Sequence, residues 1–415
     1  MSLSIDLSGV QAAQSNIDTI GNNIANVSTN AFKSSSVHLS ILYVASLIGA
    51  ASNGGNPGQG VLGGSISQLF TEGSLQQTGN PLDTAISGNG FFQVKTDSGL
   101  AYTRDGAFQI AANGDLVTHS GAQVIGYAPP PAGSTATTGA LQPITISTAD
   151  IAPVATSSLK LGVNLPVTDT PIDTTAAPFS TANASSYNES TSTQINDSLG
   201  VSQTLTTYFT QVSGSGTPNQ WQTHWQLTSS DGTAVASGAG PTLTFNSGGQ
   251  LSSGSGTISV SNLPDGAATL NIAVDYAGTT LSDQAFAVTS LNSDGRNGGQ
   301  FTGVSIGSDG TVTGQYSNGE TQSFGQIALA NFANPQGLAP LSGNIFQETQ
   351  ASGKPAIGTP ATGGLGVLQS GAVEGSNVDL SSELVNLIAA QQAYQANVQG
   401  INVEHQNVQR LLQIQ

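Results

Sequence analysis

IDTIGNNIANVSTNAFKSS, residues Ile17–Ser35, sets apolar residues at helical spacing and then runs into Asn, Ser and Thr, with Asp18 the only charge before Lys33. A solvated helix normally carries Glu and Lys on its outer face, so amides there mark a face that meets protein. Numbered in heptads, the segment puts Leu3, Val10, Ile17 and Ile24 at one seam position. Ala13, Ile20 and Val27 fall at the other, and Asp6 is the polar misfit. Two apolar positions recurring every seven residues is the coiled-coil pattern. The spacing predicts a helix from about residue 3 to about residue 27, roughly 37 Å long at 1.5 Å per residue. Ser2 or Ser4 caps its start and Asn26–Asn30 closes it.

The C-terminus mirrors this. Asn377 or Asp379 can cap a helix whose apolar residues are Leu380, Leu384, Leu387, Ile388, Tyr394, Val398, Ile401, Val408 and Leu412. Gly400 interrupts it, at a cost of about 1 kcal/mol relative to Ala. Isolated helices are marginal in water, so two apolar-seamed helices at opposite chain ends pack on each other or on copies of themselves. Their remaining faces, rich in Asn, Gln, Ser and Ala, suit tight lattice packing, where a buried charge would be costly.

The chain has 415 residues, room for two to four domains. Only 7% are charged, and 7 basic against 24 acidic residues leave a net charge of −17. That balance excludes nucleic acid, since nothing could neutralise a row of phosphates, and disfavours an anionic membrane surface. Without cysteine there are no disulfides, thiolate metal sites or Cys nucleophiles. The N-terminus has neither the basic region nor the unbroken apolar run of a signal peptide. The most apolar run, Leu39–Ala50 (LSILYVASLIGA), falls short of the roughly 20 residues a membrane span needs and reads as a buried or interface segment. Abundant Gly, Ser, Thr and Asn suit an extracellular β-rich protein.

Between the helices nearly everything reads as strand and turn, without a fixed-period repeat. NGFFQV (89–94), NGDLV (113–117) and NGET (318–321) carry Asn-Gly, a strong hairpin signal. LNIAVDY (270–276) alternates strictly, with Leu270, Ile272, Val274 and Tyr276 on one face. APPPAG (128–133) marks a junction, and QWQTHWQL (220–227) holds both tryptophans in a separate aromatic centre. His38, His119, His224 and His405 lie far apart, without the HxxxH or HxH spacing of metal ligands. NSDGRNGG (292–299) lacks the alternating carboxylates and closing Glu of a calcium loop. SGNG before Phe91 is followed by neither Lys nor a helix, so it is no phosphate loop. With no nucleophile elbow and dispersed acids, no catalytic constellation emerges: neither an enzyme nor a cofactor is expected.

Several blocks resemble the bacterial flagellar axial proteins, the rod and hook family, and within it the flagellar hook subunits. GNNIANVSTNAFKS (21–34) is similar to the family's N-terminal signature, with Asn22, Asn23, Asn26, Phe32 and Lys33 at its matching positions. TGNPLDTAISGNGFFQV (78–94) supplies Gly79, Asn80, Pro81, Leu82, Asp83, Gly90, Phe91 and Phe92. YTRDGAFQI (102–110) follows, then GQIALANFANPQGL (325–338) with Asn331 and Phe332, then EGSNVDLSSELVNLIAAQQAYQAN (374–397). PFSTANASSYN (178–188) and GTVTGQYSNGETQ (310–322) are similar to hook segments that shorter rod subunits lack. The chain departs from the pattern at three places. Ala31 stands where the family usually has Gly, so that turn avoids positive φ or tolerates strain. Gln392 replaces a common Arg, and the apolar 39–50 run replaces a more polar stretch.

The resemblance implies a mainly β fold with α-helical termini forming a coiled-coil core around an export channel, plus two nested, discontinuous β domains. The expected spans are 1–36 and 374–415 for the helical axial core and 37–70 for an extended connector. The middle β domain takes 71–145 and 302–373, and the outer one 146–301. It further implies a subunit of the extracellular hook, exported by the flagellar type III system and polymerising into a curved, flexible tube that passes torque from motor to filament. The implied partners are copies of itself, the distal rod, the hook cap, the hook-length control protein and the hook–filament junction proteins. Two other readings compete. A distal rod subunit would lack an outer domain as large as 146–301, and a secreted β-rich adhesin would use the Trp221–Trp225 pair to bind glycans.

Overall fold

The structure, a computed structural model, describes residues 3–41, 60–129, 139–176, 178–212, 219–261, 263–264 and 266–413. It is mainly β, with one long helix near each end: α1 (Leu3–Ala25) and α2 (Leu380–Leu412). The chain divides into two compact units. One comprises Met1–Thr148, Gly303–Gln315 and Thr321–Gln415; the other comprises Ala149–Thr302 and Tyr316–Glu320.

In the first unit, strands Thr321–Ile327, Gln123–Tyr127, Phe91–Thr96, Gly99–Thr103, Ile345–Gln347 and Ala339–Leu341 lie side by side within one large sheet. The Asn-Gly turn before Phe91 leads into a hairpin whose register pairs Phe92 with Thr103 and Val94 with Ala101. Edge-to-face aromatics fill the adjacent core: Phe91 contacts Phe70, Phe332 and Phe346, and Tyr102 meets Phe332 at 4.8 Å. Outgoing and returning chain pair before α2, with Ala372–Glu374 on Leu75–Gln77 and Val367–Ser370 on Thr84–Ser87.

One expectation is corrected here. Residues 37–70 are not simply an extended connector, because Ser35–Ile41 and Val61–Gln68 pair as antiparallel strands and pack on α1. The first strand, SSVHLSI, does alternate in sequence, with Val37, Leu39 and Ile41 at every second position, but its partner VLGGSISQ is too Gly- and Ser-rich to announce the pairing. Residues 42–59, with most of the apolar Leu39–Ala50 run, lie outside the described residues.

The second unit holds two five-stranded sheets. In one, Glu189–Asn196, Ser202–Gln211, Gln220–Thr228, Ala234–Phe245 and Leu251–Ser253 form an antiparallel meander. In the other, Ser158–Pro166 lies parallel to Leu270–Asp275 and Thr280–Ser282 and antiparallel to Ala287–Ser293. The alternation in LNIAVDY turns Leu270, Ile272, Val274 and Tyr276 into a core shared with Leu159, Phe209, Trp221 and Trp225. Both tryptophans are buried, so the glycan-binding reading loses the feature that served it.

Opposite Trp225 in strand alternation, His224 stacks on Phe179 with centroids 4.1 Å apart and planes within 8°. Its Nδ1 is buried without a hydrogen-bond partner, and burial pushes the imidazole below its ordinary 6.5. Below that value the unfolded chain takes up a proton that the folded form refuses. Stability is therefore complete above about 6.5 and is lost as the pH falls through the lowered value. The thermal transition of this unit, followed by Trp emission, should drop as the pH falls below about 6.5, and His224→Gln should flatten the dependence. A transition that does not move with pH would contradict it.

Candidate functional site: a helix pair and its buried charge junction

The least exposed residues of α2 are Glu383, Leu387, Ala390, Tyr394, Asn397, Val398, Gly400, Ile401 and Glu404. Most fall on a line spaced alternately four and three residues apart, the heptad repeat. This line runs antiparallel along α1: Asn23 meets Glu383, Gly9 lies against the Asn397 amide, and Gly400 lies against the Asp6 carboxylate. A Cβ on Gly9 would stand 2.7 Å from Asn397 Oδ1, and one on Gly400 would stand 3.1 Å from Asp6 Oδ1. A side chain at either place would push the facing Asn397 or Asp6 side chain aside.

The heptad register read from apolarity is corrected in part. Ala13 and Ile20 are buried as expected, but Asp6 is buried beside them, while Val10, Ile17, Ile24 and Val27 are only half-buried. Gly9, Asn16 and Asn23 take the other seam line, because α1 also turns Ser8, Ala12 and Thr19 inward. Ser8 Oγ accepts the Val61 N–H at 3.1 Å, which places the strand pair on that side. On α2, Leu387, Tyr394, Val398 and Ile401 are half-buried, whereas Leu380, Leu384, Ile388 and Val408 are 43–56% exposed. Leu3 begins α1.

The helix pair is tied to the sheet at a buried charge junction. Lys33 Nζ donates to Glu374 Oε1 at 2.6 Å and to the Thr71 carbonyl at 2.7 Å. Arg104 Nε donates to Glu374 Oε2 at 2.8 Å, and its Nη1 donates to the Gly88 and Gly90 carbonyls. All three charged side chains are at most 5% exposed. Burial draws the Lys33 ammonium below its usual range, and Glu374 opposes that shift. The Glu374 carbonyl also accepts the Ala31 N–H at 2.7 Å. Ala31 itself is fully buried at φ 55°, so the turn tolerates the strain a glycine would avoid.

Two amides complete the knot. Asn23 Nδ2 donates to the Ser35 carbonyl and to Glu383 Oε1, while its Oδ1 accepts the Ser35 N–H. Asn377, a candidate cap of α2, instead accepts the Ser34 N–H at 2.7 Å and donates to the Leu69 carbonyl. Asp379 does the capping, accepting the Ser382 N–H at 2.8 Å, which lowers its carboxyl below the ordinary range.

The other motif residues shape turns and core. Asn26 bonds back to the Asn22 carbonyl where α1 ends, and Phe32 is half-buried. Gly79 and Gly90 adopt φ 74° and 126°. Asn80 donates to Asp83 and accepts the Leu82 N–H, and the Pro81 carbonyl accepts from Ser370. Phe91, Phe92 and Phe332 are buried, and Asn331 accepts the Phe332 N–H. Sequence reading missed Arg104 and Glu374 as a pair, although both stand inside quoted motif blocks.

The arrangement offers hydrogen bonds and packing surfaces, and comparison with known proteins says which family builds it. The chain is 37% identical over 418 residues to the flagellar hook protein FlgE of Salmonella typhimurium, covering 100% of each. It belongs to the flagellar hook protein family. FlgE of Escherichia coli is likewise 37% identical over 419 residues, with 100% of both covered, and that of Treponema pallidum is 32% identical with 96% of each covered. Four family descriptions match in order. "Flagella basal body rod protein" matches 3–33 and "Flagellar hook protein FlgE/F/G D1 domain" matches 85–162. "Flagellar basal body protein FlaE D2 domain" matches 164–296, and "Flagellar basal body rod FlgEFG protein C-terminal" matches 369–414. The Helicobacter pylori hook protein FlgE2 shares the fold, with a TM-score of 0.56 at 16% identity over 71% of this chain and 99% of that one. As a member of the hook family the chain is a structural component of the flagellum. None of its described helices is long and apolar enough to cross a membrane.

Proposed function

We propose that the chain polymerises into a curved, flexible tube, the universal joint that passes torque from the rod to the filament. The observation that carries this is the split stripe on α2. One line closes on α1, while Leu380, Leu384, Val385 and Ile388 stay exposed, an apolar stripe with no cover within the described residues. On this reading those exposed residues meet helices of neighbouring copies, and together with the α1–α2 line they build a coiled-coil axial core. On this reading the core takes 1–36 and 374–415, the middle domain 71–145 and 302–373, and the outer domain 146–301. The subunit leaves the cell through the flagellar type III channel. Its further neighbours are the distal rod, the hook cap, the hook-length control protein and the hook–filament junction proteins. The role is structural, with no enzymatic step.

Electron microscopy of concentrated protein tests this, and tubes with a central channel are expected. Copies at −17 repel one another, and the Debye length shrinks from about 30 Å at 0.01 M to about 10 Å at 0.1 M salt. Assembly followed by light scattering should therefore strengthen with salt. Protein that stays dispersed at every salt concentration and shows no tubes would reject the proposal.

A further inference from the structure

Three charges on the helices, Asp6, Glu404 and Arg410, have no hydrogen-bond or ion-pair partner within the described residues. Asp6 is 7% exposed, and its Oδ2 is buried without a hydrogen bond. It lies against Gly400, and one turn further along α2 Glu404 adds a second carboxylate to the same end of the pair. By contrast, Asp18 on α1 accepts from Gln14, and Glu383 on α2 accepts from Asn23. Across α1 and α2 the one Lys or Arg is Arg410, in the last turn of α2, exposed and in no ion pair among the described residues. His405, five residues earlier on α2, is exposed as well.

Ten residues, about 15 Å of helix, separate Gly400 from Arg410, which puts the guanidinium out of reach of Asp6 in its own subunit. A buried carboxylate without a partner is costly, and a guanidinium suits a carboxylate in a partly buried contact. Resting on the polymer reading above, we propose that Arg410 of one copy reaches Asp6 of another, closing between subunits the ion pair that neither residue forms within one. The partner is thus a second copy of this chain, displaced along the helix axis so that its last α2 turn lies beside the Asp6–Gly400 contact. The contact is head-to-tail, so it propagates through an open polymer.

Charge exchange between copies tests it. Asp6→Lys and Arg410→Glu subunits should each assemble poorly alone, and an equimolar mixture should form tubes, because every contact in an alternating polymer is then oppositely charged. The milder Asp6→Asn and Arg410→Gln should each raise the concentration needed for assembly at least about tenfold, with unchanged helix content. Combining the two should cost no more than either alone. Wild-type protein that forms no tubes would count against the polymer reading itself. Tubes from wild type, with neutral variants that assemble at the same concentration, would overturn the ion pair. So would additive losses in the double variant, which would mean that each charge serves only its own helix end.

Discussion

Glu374→Gln should remove most of the stability of the first unit while leaving the second unit folded. The substitution keeps size and one hydrogen-bond acceptor, but it strands two cations, Lys33 and Arg104, in a site almost closed to water. Breaking a buried pair by removing one partner costs about 3–5 kcal/mol, against a total of about 5–15 kcal/mol for a domain. Here one carboxylate serves two cations, so the upper part of that range is expected. Both tryptophans belong to the second unit's core, so Trp emission and its transition should stay as they are. Loss of helix signal on heating should move well below that of the unsubstituted chain. Replacing Lys33 by Met in the same chain should recover part of the loss by removing one stranded charge. A Glu374→Gln protein that melts like the original would show that the junction contributes little.

That junction also marks where sequence reading stops. The helices were legible because apolar residues recur at their period, and LNIAVDY because its alternation matches the pleat. The junction has no period: Glu374 lies 341 residues from Lys33 and 270 from Arg104 in sequence. The available clue was scarcity. With only 7 basic residues in 415, a Lys and an Arg inside motif blocks could have been matched to the Glu opening the C-terminal block. The seam was misread for a related reason. A heptad assigned from apolarity treats Asp6 as a misfit and passes over Gly9 and Asn23, yet the helices close through glycine notches and buried amides. Ala31 shows the reverse case, since its departure from the usual Gly announced a strained turn that the fold holds at φ 55°.

Ile401→Asp should abolish tube formation. Ile401 is half-buried on the line of α2 that faces α1, one residue from Gly400, where the Asp6 carboxylate lies. A new acid there joins Asp6 and Glu404 at an end of the helix pair that has no cation of its own. Partial burial of a third unpaired carboxylate carries a penalty of several kcal/mol per subunit, larger than the marginal stability of a helix pair with so much glycine and amide in its seam. Far-UV circular dichroism should show the loss of helix, and electron microscopy should show no tubes at concentrations that give them for the original chain. The Trp221–Trp225 core lies in the other compact unit, so Trp emission should not change. Leu380→Asp, on the exposed side of α2, is the informative counterpart. It should leave the helix signal intact and still impair assembly, because its face waits for a neighbouring copy rather than for α1. Tubes of normal appearance from the Ile401 variant would refute the seam, and normal tubes from the Leu380 variant would refute the role given to the exposed stripe.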